Sequence, residues 1–270
     1  MLTLKAYAKI NLCLDIAGIR PDGYHNIDTV MQSISLFDTV CIDVGCEGVS
    51  VICKGDETLN GENNIAYKAV EKFYVNLGRA PKARVEIEKN IPLAAGLGGG
   101  SADAAAVLVG LNILNGSPFD DNKLREIALT LGADVPFCIS GGTARAQGVG
   151  EILESVSPMP DCSIKLVSAG KKPSTKEMYK AVDEAENPLR VNTGEMVKAL
   201  KSGDLAAVCS SLGNSFEIVW ENNREVKKNL ASEGALAASL SGSGPTVFGI
   251  FPPEFSPIKP VNRGLEIISE

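Results

Sequence analysis

The most constraining stretch of the chain is Pro92–Gly110, PLAAGLGGGSADAAAVLVG. Four of the nine residues Ala94–Ala102 are glycine. That density builds no core, but it lets the backbone take left-handed angles and approach a ligand closely. From Ala102 to Leu114 the sequence is dominated by Ala, Val and Leu and has no proline, which predicts a buried helix. A loop running straight into a helix aims free N–H groups and the positive end of the helix dipole at one point. Such a point suits phosphate, although the same glycines also serve in plain turns. Two phosphate signatures are absent. No lysine follows the glycines as in a P-loop, and Ser101 stands where the dinucleotide fingerprint needs its third glycine.

The rest of the composition narrows the class. At 270 residues, 44% hydrophobic and 22% charged, the chain suits a soluble globular protein of one large or two small domains. A net charge of −7 leaves no basic footprint for nucleic acid. The longest apolar run, Ala104–Leu111, is too short for a membrane span, and the N-terminus lacks the layout of a signal peptide. Seven cysteines without CxxC spacing, and a single histidine, argue against zinc. Several of those cysteines fall in apolar strand patterns, as reduced thiols in a cytosolic protein do.

Leu2–Ile16 alternates strictly, with an apolar residue at every even position, and predicts a strand with one buried face. Lys9 and Asn11 then share the non-core face, for which a solvated surface is the simplest reading. Gly18–Asn26 is turn-rich and holds Tyr24 and the only histidine, His25. These two are either solvated or a stacking platform for a flat ring. Strands follow within Asp28–Val51, then a helix over Asn63–Leu77 and a strand at Ala83–Glu88. Asn112–Asp121 reads as a connection and Asn122–Leu131 as a helix. Ala133–Ser140 is apolar but broken by Asp134 and Pro136; the acid reads as a helix cap or turn acid unless chemistry needs it. Gly141–Leu153 looks like a hairpin. Prolines at 158 and 160 mark a domain boundary. Beyond it, Ser163–Val167 is a strand and Ser174–Glu177 has capping-box spacing for a helix through Val182. Helices are expected over Thr193–Leu200, Asp204–Val219 and Asn223–Glu233. Strands at Leu236–Ser239 and Thr246–Phe251 flank the turn SGSGP, Ser241–Pro245.

A polar-faced first strand, a glycine loop opening a helix, and a late SGSGP turn occur in the order found in the GHMP family of small-molecule kinases. The chain resembles that family through PLAAGLGGGSADAA (Pro92–Ala105) and SLSGSGPTVFGIF (Ser239–Phe251). AYAKINLCLDI (Ala6–Ile16), RPDGYHNIDTVMQSISLFD (Arg20–Asp38), GADVPFCISGGTARAQGVGE (Gly132–Glu151) and NSFE (Asn214–Glu217) narrow the resemblance. They point to the branch that phosphorylates the 2-hydroxyl of 4-diphosphocytidyl-2-C-methyl-D-erythritol in non-mevalonate isoprenoid synthesis.

The resemblance implies an α+β, two-domain GHMP kinase fold, with an N-terminal domain that is ribosomal protein S5 domain 2-like and a ferredoxin-like C-terminal domain. The division is set at 1–155 and 156–270. It implies a cytoplasmic bacterial enzyme, monomer or homodimer, using ATP and Mg²⁺ on a small-molecule substrate, with no nucleic-acid or membrane partner. Asp134 would be the catalytic base, with Lys9 beside it to hold the carboxylate ionised and to stabilise charge on the transferring group. Asn11, Tyr24 and His25 would bind substrate, the last two clasping cytosine. Pro92, Leu93, Ala94, Ala95, Gly96, Leu97, Gly98, Gly99, Gly100, Ser101 and Ala102 would bind ATP, with the Ser101 hydroxyl on Mg²⁺ or a phosphate oxygen. Two features depart from the family pattern. Ala94 and Ala95 replace glycines common in such loops, and Pro252, Pro253, Pro257 and Pro260 occupy a region where a helix and final strand are usual.

Overall fold

A computed structural model describes residues 1–269. The alternating N-terminal segment forms β1 (Leu2–Ile19), and the turn after it returns the chain as β2 (His25–Asp43). The two strands run antiparallel nearly end to end, with register shifts at Tyr7/Lys9, Asn11/Cys13 and Ile16/Gly18. Such irregularities bend and twist a ribbon, so one long hairpin serves two surroundings. At one end β2 pairs β4 (Ala83–Glu88), which lies parallel to β3 (Val49–Lys54). Parallel neighbours need a crossover, supplied here by α1 (Ile65–Leu77), whose first turn is capped by the Asn64 side chain. At its other end β2 pairs β5 (Thr143–Gly148), which turns back into β6 (Ile152–Ser155).

The apolar helix expected after the glycine loop is α2 (Gly99–Leu114), and it starts three residues early, with Gly98 in the left-handed region just before it. A helix apolar all round belongs inside a core. Ala102, the run Ala104–Leu108 and Leu111 are buried, in one cluster with Leu4, Ala6, Ile42 and Phe73. Each Val or Leu so buried contributes about 1.5–3 kcal/mol. The helix runs through Asn112, so the connection expected from that residue shrinks. The Asn112 side chain folds inward, donating to Phe119 O and accepting from Phe119 N. Next come α3 (Asp121–Leu129) and the short α4 (Val135–Ser140).

The second half builds a separate antiparallel sheet in the order β7-β10-β9, made of β7 (Ser163–Ser168), β9 (Ala237–Leu240) and β10 (Thr246–Phe251). Among its helices are α5 (Thr175–Asp183), which carries the expected capping box, α6 (Thr193–Ser202) and α8 (Asn222–Ser232). The long helix expected over Asp204–Val219 does not form. α7 (Leu205–Ser210) stops early, where the Ser210 and Ser211 hydroxyls turn back onto Ala206 O and Ala207 O, a competition that weakens helices. Gly213–Asn214 then becomes β8, parallel to Cys13–Leu14 of β1, and Ser215–Ile218 makes a 3-10 turn.

Past Phe251 the prolines leave no helix among the described residues, yet a final strand persists. β11 (Leu265–Ser269) pairs antiparallel with Thr3–Ala6. The chain thus ends on the first sheet, across a division drawn at 155/156. The result is an eight-stranded sheet and a separate three-stranded one in a mixed α+β fold.

Candidate active site

From Tyr7 to Asp15 the odd face of β1, expected to be solvated, is buried. Lys9 is 4% and Asn11 3% exposed, because two turns lie over them: a Cβ on Gly98 would stand 3.0 Å from Lys9 Cγ, and one on Gly242 would stand 3.6 Å from Lys9 Nζ and 3.5 Å from Asn11 Oδ1. Buried polar groups need partners, and these have them. Lys9 Nζ donates to Asn11 Oδ1 at 2.8 Å, Asn11 Nδ2 donates to Thr29 Oγ1 at 2.9 Å, and the Thr29 hydroxyl donates to Cys13 O at 2.6 Å. The relay holds the lysine in one direction, towards Asp134 Oδ2 at 3.3 Å. Asp134 occupies the N-cap position of α4, but its side chain caps nothing. That carboxylate, 37% exposed, is turned to the lysine and the cavity beyond, and the cap reading of the sequence falls.

The glycine loop is pinned on both sides. Lys9 N donates to Leu97 O at 2.9 Å, the Ser241 hydroxyl to Gly96 O at 2.9 Å, and Thr246 N to Ala95 O at 3.3 Å. Gly96 has φ +77° and lies so close to the second turn that a Cβ would stand 2.3 Å from Ser241 O. In turn, Asn214 holds that turn, donating to Leu240 O and Gly242 O at 2.8 Å each. The NSFE segment is thus a brace: Glu217 accepts from Ser239 Oγ and Leu240 N.

Two cavities meet at Ala94, Gly96 and Gly98. The loop cavity, about 260 Å³, is lined by Pro92–Gly96 and Gly98–Ser101 with Ile65, Lys89 and Ile91. The first intrahelical bond of α2 runs from Ala102 N to Gly98 O, which leaves the N–H groups of Gly99, Gly100 and Ser101 without intrahelical partners. Not every residue expected to bind ATP faces this space. Leu97 and Ala102 point into the core, and the Ala102 N–H is already used. The central cavity, about 330 Å³, is lined by Lys9, Asn11, Asp134, Lys172, Thr175, Tyr179 and the Gly242–Gly244 turn, among others.

A third cavity of about 510 Å³ holds Tyr24 and His25 together with Thr175, Tyr179 and Asp183. His25 does not stack with Tyr24. Its ring lies on Tyr179, 4.4 Å between centroids and 21° from parallel, and Nε2 sits 3.0 Å from Asp183 Oδ1. Tyr24, 66% exposed, stands at the rim. Tyr179 is edge-on to Phe216 beneath, and burial raises its phenol to about 12, with Asp134 adding to the shift. The capping box announced α5, but no sequence signal showed that its Tyr179 and Asp183 would reach His25.

Below the loop, Lys89 bridges two carboxylates, Asp38 at 2.5 Å and Asp103 at 2.6 Å. Asp38 also accepts from Asn90 N and Ile91 N. One ammonium satisfies one buried carboxylate, and Asp38 is the better solvated by donors. Burial pushes Asp103 up to about 7 against the pull of Lys89.

A glycine loop at a helix start, a buried lysine facing a half-exposed aspartate beside it, and a second turn against the loop lie together where two cavities meet. Residues 64–142 match the family model for the GHMP kinases N terminal domain, and residues 196–259 that for GHMP kinases C terminal. The chain belongs to the GHMP kinase family.

Within it, the 4-diphosphocytidyl-2-C-methyl-D-erythritol kinase of Pelotomaculum thermopropionicum is 44% identical over 255 residues, covering 93% of this chain and 89% of that protein. The Clostridium tetani protein of the same name is 40% identical, covering 93% and 91%. A crystal structure of 4-(cytidine 5'-diphospho)-2C-methyl-D-erythritol kinase superposes with TM-score 0.77 at 32% identity, over 92% of this chain and 89% of that one. A homoserine kinase from Cytophaga hutchinsonii shares the fold, with TM-score 0.75 at 19% identity over 99% and 97%.

Proposed function

We propose that this chain transfers the γ-phosphate of ATP to the 2-hydroxyl of 4-diphosphocytidyl-2-C-methyl-D-erythritol. The relatives named for that activity support the substrate. The observation that carries the chemistry is the Lys9–Asp134 pair, 3.3 Å apart where the loop cavity opens into the central one.

In this reading the substrate oxygen attacks the γ-phosphorus, the bond to the β-phosphate oxygen breaks, ADP leaves, and the hydroxyl proton passes to Asp134 Oδ2. Phosphoryl transfer asks a protein for positioning and charge neutralisation more than for covalent chemistry. Lys9, held by Asn11, supplies the positive charge, and the N–H groups of Gly99–Ser101 supply fixed donors. Mg²⁺ fits as part of the nucleotide substrate rather than as a resident ion. Among the described residues no group of three His, Cys, Asp or Glu is placed to hold a metal, whereas the Ser101 hydroxyl borders the loop cavity. Mg²⁺ bound through phosphates and few protein ligands needs no more. His25 on Tyr179, with Tyr24 at the rim, offers the flat face and polar edge a cytosine requires. No helix among the described residues is long and apolar enough to cross a membrane. The cytoplasmic setting, the monomer or homodimer, and the division near 155/156, amended by the return of β11, belong to the same proposal.

Two measurements test it. CDP and CMP are expected to raise the melting temperature, as a ligand of the native state must; stabilisation by homoserine or mevalonate instead would move the chain to another branch of the family. Asp134→Asn and Lys9→Ala should each keep the fold and lose at least about 100-fold in kcat, within the range one catalytic group supplies. Wild-type turnover by Asp134→Asn would remove it as the base.

A further inference from the structure

The central and outer cavities share Val149, Thr175 and Tyr179. A ligand whose flat base lies by Tyr179 and whose hydroxyl lies by Asp134 must run its linking group past that shared wall. Beside the wall stands Lys172. Three charged side chains line the central cavity, Lys9, Asp134 and Lys172, and Lys9 and Asp134 face each other. Lys172 has no carboxylate partner among the described residues. Its ammonium is held only by neutral oxygens, Pro173 O at 3.1 Å and Thr175 Oγ1 at 3.4 Å. Thr175 is itself tied to Ser243 of the second turn, 3.1 Å between hydroxyl oxygens. The cation is therefore fixed to the point where α5 meets that turn.

We infer that Lys172 is the diphosphate-binding residue of the substrate alcohol, the group that distinguishes a nucleoside-diphosphate-linked alcohol from a bare one. The inference rests on the function proposed above. A diphosphate bridge is anionic at both phosphorus atoms, and charge-assisted contacts to such oxygens are the strong ones. Burial, with no opposing carboxylate, draws the Lys172 pKa below the usual lysine value, as expected of a cation whose counter-charge arrives with a ligand. Lys9 cannot serve both roles, because its hydrogen bond to Asn11 and its contact with Asp134 commit it to the reacting end.

The test compares wild type, Lys172→Met and Lys172→Arg, with melting curves to check folding. CDP and cytidine serve as competitive inhibitors, and KM is measured for each substrate. Lys172→Met should weaken inhibition by CDP about tenfold or more, leave inhibition by cytidine unchanged, raise KM for the alcohol by a similar factor and leave KM for ATP alone. Lys172→Arg should recover most of the loss. If CDP inhibits Lys172→Met as it does wild type, or if KM for ATP rises instead, the assignment is overturned. If wild-type protein neither binds CDP nor turns over the alcohol, the proposed function fails, and this inference with it.

Discussion

Of the two residues at which the loop departs from glycine, Ala94 is the one that bears strain. It takes φ +51°, a left-handed angle that costs a side chain with a Cβ about 1–2 kcal/mol. From the sequence the alanine looked minor because it keeps the loop small. Size is not what matters at this exposed position; the cost lies in the backbone angle. Ala94→Gly should raise stability by about 1 kcal/mol, less the extra freedom glycine gives the unfolded chain, and a shift in Tm reads it directly. Lys9 shows the complementary case. Its place on the odd face of β1 is plain in the sequence, but its burial comes from the glycine loop at Gly98 and the turn at Gly242, both far along the chain, so no local pattern reveals it.

At the scale of elements, the Asp38–Lys89–Asp103 bridge joins β2, the end of β4 and the first turns of α2. The groups facing Asp103 are Lys89, Asp38, Cys53 and Cys138. With its carboxyl raised to about 7, the folded chain keeps a proton that an unfolded aspartate releases near pH 4. The folded state binds more protons across that window, so this group's contribution to stability falls as pH rises from about 4 through about 7 and is level beyond. Asp103→Asn should flatten the fall. In urea titrations at pH 5 and pH 8, wild type should lose about 2 kcal/mol more than the variant. Equal losses would show that Asp103 is ionised throughout. Element types were largely legible from the sequence. β4 and β10 match their expected ranges residue for residue, because alternation and flanking turns are local. The helix expected at Asp204–Val219 ends at Ser210 and does not resume where Asn214 is claimed by Leu240 O and Gly242 O, a tertiary demand that overrides a helical composition.

On the scale of the whole molecule, the position of Asp134 depends on a segment more than a hundred residues further along the chain. The segment before β11 crosses the end of α4, where a Cβ on Gly264 would stand 2.0 Å from Cys138 O and one on Gly141 would stand 1.8 Å from Gly264 N. Tyr7 N donates to Gly264 O at 3.0 Å, and the Tyr7 hydroxyl donates to Glu266. β11 thereby clamps β1 and α4, the two elements that carry Lys9 and Asp134. Gly264→Ala should cost about 1–3 kcal/mol by overpacking and lower kcat beyond what the loss of folded protein explains; unchanged kcat at matched folded fraction would separate the clamp from the site. The sequence by itself determined the strand alternation of β1, the loop-to-helix passage at Pro92–Leu114, the capped helices and the two glycine turns. Each of these is written in neighbouring residues through backbone sterics, capping and hydrophobic period. Only the tertiary structure decided that the polar face of β1 is interior, that His25 meets Tyr179 rather than Tyr24, that Lys172 reaches the central cavity, and that the C-terminus returns to the first strand. Those outcomes depend on which distant surfaces bury one another, and burial between segments far apart in the chain leaves no local period to read.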